Sequence, residues 1–173
     1  MNDLKSIPNG TKVIIDTNII LYTALAHPYY QKSSTDFLLR IEREEIQGFI
    51  PSIVVQEVAH HFIISELMEL GYGKRVPDVI ACYKRKPNIL NDITKTWDLI
   101  PRLFQINCSL LYETPDIVKK SLIISRDHQL LIKDAYIVSF AEDHQITHIA
   151  SNDHDFARVP WLSVWKPEYV SQG

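Results

Sequence analysis

Cysteine is scarce: Cys82 and Cys108 are the only two in 173 residues. Two are too few for a disulfide framework, and their spacing makes no C-x-x-C metal pair. Long apolar runs are missing, since none approaches the roughly 18 residues that cross a bilayer. The opening "MNDLKSIPNGTK" has no signal-peptide core, so a cytoplasmic chain with two reduced thiols is the expectation. Positive charge is not in excess either. Lysine and arginine number 18 against 21 acids, a formal charge of −3, and composition alone gives no support to a nucleic-acid binder. Glycine-rich phosphate loops are absent, because Gly71 and Gly73 in "LGYGKR" lack both the spacing and the preceding strand. Neither an internal repeat nor a low-complexity tract occurs.

What remains is ordinary globular composition, 46% hydrophobic and 23% charged, and its length makes a single domain over residues 1–173 the expectation. Short apolar strands alternate with longer helical patterns, which predicts an α/β fold with a parallel sheet covered by helices. "KVIID" reads as a buried strand, "FLLRIEREE" as an amphipathic helix, "GFI" as a second strand, and "FQINCS", "THIAS" and "LSVWKP" as later ones, the last at a sheet edge. Ser52 is a candidate N-cap for a helix running to Gly71. Residues 76–105 read as two helices broken at Pro87, Asn88 and Pro101. A helix over 129–143 completes the set.

The acids occupy expensive positions. Asp16 closes the first strand in "VIIDTNIILYT", and Asp153 follows the strand "THIAS" by one turn residue. Ligands of open parallel sheets gather beyond the carboxyl ends of the strands, so both aspartates aim at one edge. On one helix Ile53, Glu57, His61 and Ile64 share helical spacing, which makes Glu57 interrupt an apolar stripe; on another, Asp134 does the same among Leu130, Val138 and Ala141. Each acid has a structural alternative: Asp16 as a helix cap, Glu57 or Asp134 in an ion pair, Asp153 as a turn former. Together, clustered carboxylates repel unless a cation neutralises them, and an all-oxygen donor set selects hard ions, Mg²⁺ or Mn²⁺.

The segments "IIDTN", "SIVVQEV", "LLIKDAYIVSFAEDHQ" and "IASNDHDFARVPWLSV" together resemble those of PIN-domain ribonucleases, above all the toxin subunits of VapBC-type toxin–antitoxin pairs. The resemblance runs from about residue 13 to 168, and residues 71–112 carry none of its signature. It implies a three-layer α/β/α fold with a short, mostly parallel central sheet and a helical segment near 71–105. It also implies a catalytic and metal-holding quartet at Asp16, Glu57, Asp134 and Asp153, supported by Asn18 and Ser151, with Asp155 as an accessory acid. The implied activity is RNA phosphodiester hydrolysis with one or two divalent ions, and the implied partners are an RNA substrate, a second copy of the chain and an antitoxin protein. A leader of twelve residues and the added helical segment leave open an RNA-processing nuclease outside any toxin pair, or a scaffold that binds RNA or protein without cutting.

Other chemistries lack parts. "EVAHH" holds one E-x-x-H with no second copy, against the two of a di-iron bundle, and it is not H-E-x-x-H; His61 could instead hydrogen-bond Glu57. A haloacid dehalogenase-type phosphatase needs an aspartate where Asn18 stands. Lys84, Arg85, Lys86 and Arg126 are candidate phosphate contacts on RNA. Tyr29, Tyr30, Phe37, Phe62 and Met68 are either core or partner-facing.

Overall fold

Val13, Ile14 and Ile15 are all completely buried. Successive strand residues point to opposite faces, so three in a row are buried only where helices cover both sides of the sheet. The computed structural model describes residues 1–170. Its strands are β1 (Asn2–Asp3), β2 (Lys12–Ile15), β3 (Gln47–Pro51), β4 (Cys108–Leu111), β5 (His148–Ala150) and β6 (Ser163–Lys166). They form one sheet in the order β1-β6-β5-β2-β3-β4, and every pairing is parallel. Parallel neighbours need long crossovers, which are provided by α1 (Thr17–Ala24), α2 (Gln31–Glu42), α3 (Ser52–Glu69), α4 (Val76–Arg85), α5 (Lys95–Leu103), α6 (Pro115–His128) and α7 (Ile132–Asp143). The expected three-layer α/β/α fold is the one observed, with a wholly parallel sheet.

The chain divides into two compact units, Met1–Val55 with the chain from Ile106 onward, and Gln56–Gln105. The first contains the sheet, with α1 packed on α2 and α6 on α7. The backbone comes close to its neighbours at Gly48, where a Cβ would lie 2.7 Å from Cys108 Sγ and 2.9 Å from Ile41 Cδ1. A side chain there would force the ends of those two side chains to shift. Burial pushes the Cys108 thiol up to about 12, and both cysteines are free. No helix among the described residues is long and apolar enough to cross a membrane.

The second unit has its own core of Ile64, Leu67, Val79, Ile89 and Ile93. Beside it the buried Glu66 carboxylate accepts backbone N–H bonds from Thr94 (2.7 Å), Lys95 (2.9 Å) and Thr96 (2.7 Å). These are the donors that the start of α5 leaves without intrahelical partners, so a side chain from α3 caps α5.

Five sequence expectations are corrected. β6 is not an edge strand, because Asn2 and Asp3 pair with Trp165 and Lys166 outside it; a two-residue strand has no periodicity to read. Ser52 is not a cap, since it is the first residue of α3 and its buried Oγ has no hydrogen-bond partner. Gln129, left-handed at φ 55°, ends α6, and α7 starts only at Ile132. Pro101 does not break α5, which runs on to Leu103. On α3 the buried row is Val54, Val58 and Phe62, with Ile53 and Glu57 half-buried and His61 exposed. Helical spacing fixes the repeat of a stripe but not its phase when apolar residues flank it on both sides.

Candidate active site

From β2 the chain moves outward through β3 and β4, then returns to the other side of β2 for β5 and β6. The reversal point lies between β2 and β5, which is where ligands bind in open parallel sheets. Ile15 pairs with Ala150, so the next residues, Asp16 and Ser151, emerge side by side at the carboxyl edge.

Asp16 is 7% exposed and caps α1, its Oδ1 accepting the Thr17 N–H at 2.7 Å. The cap alternative is therefore realised, but it uses one oxygen. The other, Oδ2, accepts from the Ser151 hydroxyl at 2.6 Å and from Asn18 Nδ2. Ser151 Oγ in turn accepts from Asn18 Nδ2 at 3.1 Å and from the Asp153 N–H at 3.0 Å. Asn18 Oδ1 accepts the Asn152 N–H at 3.1 Å. The two supporting residues expected from the sequence thus lock the β2 and β5 ends together around one carboxylate.

Asp153 is exposed and its Oδ1 accepts the Asp155 N–H at 2.8 Å, a turn-forming bond that leaves the carboxylate at the surface. Asp155 pairs with Arg158 at 2.9 Å, and Arg158 also donates to the Gln129 carbonyl. Two polar residues were not singled out from sequence. Asn152 Nδ2 donates to the Tyr22 hydroxyl at 3.1 Å. Burial raises the pKa of Tyr22 above the usual phenol value, the Asn152 bond works against that, and the charges of Tyr30, Asp16 and Asp153 raise it further. Tyr22 therefore feels both carboxylates. The signal that could have found it is its place one helical turn after Asn18 on α1.

Asp134 is half-buried in the first turn of α7, where a negative charge suits the helix dipole. It heads the row of Val138 and Ala141, both fully buried, as the spacing predicts; Leu130 lies before the helix. Glu57 is half-buried on α3, with Oε1 3.9 Å from His61 Nε2, too long for a hydrogen bond. Among the described residues no three His, Cys, Asp or Glu side chains form a ready-made metal-ligand group. Lys84, Arg85 and Lys86 are exposed at the end of α4. Arg126, also exposed, pairs with its neighbour Asp127 at 2.7 Å.

The family model for the PIN domain matches residues 13–162, a span that opens on β2 and includes the loop from Ser151 to Asp155. The chain belongs to the PIN domain family. This PIN domain is similar to Ribonuclease VapC2 from Methanocaldococcus jannaschii, with 32% identity over 153 residues covering 88% of this chain and 92% of that protein. Among solved structures it is similar to VapBC2 of Rickettsia felis bound to a DNA fragment from the promoter, with a TM-score of 0.58 and 16% identity over 91% of this chain and 100% of that one. A toxin–antitoxin complex from Klebsiella pneumoniae matches with a TM-score of 0.50 and 18% identity over 87% and 95%. At these identities the structural likeness is one of fold.

Proposed function

We propose that this PIN domain is an endoribonuclease that hydrolyses RNA phosphodiester bonds with a hard divalent cation, and that it acts as the toxin of a toxin–antitoxin pair. The observation that carries the reading is the buried Asp16 carboxylate, held by Ser151 and Asn18 at the reversal point of the sheet. Its relative's name, Ribonuclease VapC2, supports the activity, and the likeness in fold to VapBC2 and to a toxin–antitoxin complex accords with the pairing.

The chemistry of the donors suits Mg²⁺ or Mn²⁺. Asp16, Asp134 and Asp153 offer only oxygen, as does Glu57, which the family motif adds to the set. A site without sulfur or imidazole suits hard ions over zinc. A bound cation of this kind supplies Lewis acidity for hydrolysis at neutral pH. The chain's own work is positioning: Asp16 is fixed from both sides, and Ser151 ties Asp153 to the same network through its backbone. Asp155 serves as an accessory acid, and Lys84, Arg85, Lys86 and Arg126 as phosphate contacts. A second copy of the chain and an antitoxin are the proposed protein partners.

Ser151→Ala removes the donor to Asp16 Oδ2 and the acceptor for Asn18 and Asp153. Cleavage is expected to fall about 10- to 100-fold, with the variant still folded and destabilised by about 1–3 kcal/mol for the buried partners left unpaired. An active Ser151→Ala enzyme would show that the network does not position the acid. The toxin role is tested in cells. Wild type expressed without a partner should arrest growth and fragment RNA, whereas Asp134→Asn should do neither. Equal arrest by that variant, or arrest with intact RNA, contradicts the reading.

A further inference from the structure

A run of aromatic rings begins at the acidic site and ends in solvent. Tyr22 contacts His27 at 4.6 Å and Tyr30 at 4.9 Å between ring centroids, and His27 stacks on Tyr30 at 5.0 Å. Tyr29 stacks on Tyr169 at 4.7 Å with only 19° between the ring planes, and Tyr30 meets Tyr169 edge-on. One end is tied to the site through the bond from Asn152 to the Tyr22 hydroxyl and through the charges of Asp16 and Asp153 on Tyr22. At the other end Tyr29 is 41% and Tyr169 58% exposed. Rings that served only the core would be covered.

The exposed pair is held in place. The Tyr29 N–H donates to His27 Nδ1 at 3.3 Å, and the Val170 N–H donates to the Tyr29 carbonyl at 3.0 Å. The Glu168 N–H donates to Ser33 Oγ at 2.9 Å. Ala26, just before His27, takes φ 53°, a conformation that a non-glycine residue adopts only when its surroundings impose it. Two neighbouring cations are paired, Lys32 with Asp36 at 2.6 Å and Lys5 with Glu168 at 2.8 Å. The strip therefore offers ring faces rather than charge. Ring faces fixed beside a phosphodiester-cutting site suit unpaired bases, which stack on aromatic side chains in single-stranded recognition.

We infer that Tyr29 and Tyr169, continued by Tyr30, His27 and Tyr22, form a stacking platform for unpaired bases of single-stranded RNA next to the bond to be cut. The inference rests on the ribonuclease reading and names a binding subsite within it. Because every base has a π-face, the platform selects unpaired over paired RNA and carries little sequence preference.

The test is steady-state cleavage of an unstructured RNA of about 10 nucleotides, a length within the reach of one binding groove. Replacing both residues by leucine, Tyr29→Leu with Tyr169→Leu, keeps the apolar bulk and removes the stacking faces. KM should rise about 10- to 100-fold with kcat retained, and the pair Tyr29→Phe with Tyr169→Phe should restore the wild-type KM. A fluorescent base analogue placed in the RNA should be quenched on binding wild type, a readout that needs no variant. A leucine pair that melts and cuts like wild type overturns the platform. So does a phenylalanine pair as impaired as the leucine pair, an unquenched analogue, or a leucine pair that cuts normally but has lost self-association. A wild type that cuts no RNA overturns the ribonuclease reading and the platform together, which separates the two failures.

Discussion

Asp16→Asn is expected to lower RNA cleavage by about 10³-fold or more while melting within about 1 kcal/mol of wild type. The two halves follow from the two oxygens. Asparagine is as good an N-cap as aspartate, and its amide oxygen can still accept the Thr17 N–H that Oδ1 now takes. Where Oδ2 stands, an amide NH₂ would face the Ser151 hydroxyl and Asn18 Nδ2. The hydroxyl already accepts from Asn18 and from the Asp153 N–H, so it can take the new amide only by releasing Asn18 and turning its own proton elsewhere, a local cost of about 1 kcal/mol. The negative charge has no substitute, and it is the charge that a divalent cation and a phosphodiester reaction require. Cleavage rates and urea melts on the same preparation decide the matter. A variant that cuts like wild type reduces Asp16 to a helix cap, and one that fails to fold assigns it a structural role.

Glu66→Ala is expected to destabilise the unit spanning Gln56–Gln105 by about 3 kcal/mol, because it removes the acceptor for the N–H groups of Thr94, Lys95 and the buried Thr96 at roughly 1 kcal/mol each. Trp97, half exposed and next to Thr96 on α5, is a natural fluorescence reporter. The same carboxylate carries a pH signature. Burial alone would raise its pKa, but the hydrogen bonds from the start of α5 outweigh burial and bring it from 4.5 to about 2. A group depressed in the folded state contributes its stability above the unfolded value, and that stability is lost as pH falls through the folded one. Wild type should therefore lose stability between pH 4.5 and about 2 more steeply than Glu66→Gln. Parallel acid profiles for the two proteins would contradict the capping role.

Asp16 was legible because a charge closing a short apolar run has few cheap explanations, and Asp153 because it follows the end of β5 within a turn, at the same sheet edge. Asn18 and Ser151 were legible only through the family motif, and their bonds to Asp16 give that transfer a physical basis. Glu66 was invisible. In sequence it is one more acid on a long helix, and its role depends on where a loop some thirty residues later begins α5. The phase error on α3 has a similar origin, since Ile53 and Val54 are equally apolar and only packing distinguishes the buried row from its neighbour. Tyr22 and Asn152 were missed because their contact joins α1 to the loop after β5 across 130 residues, a pairing set by the parallel register and not by local spacing.

The central claim, hydrolysis of RNA by a metal-assisted carboxylate site, is tested most directly by incubating wild type with an RNA mixture in EDTA and then restoring Mg²⁺ or Mn²⁺. The account predicts no cleavage in the chelator and prompt cleavage once either ion is returned. Undiminished cutting in EDTA, or none with either ion on any RNA supplied, would contradict it.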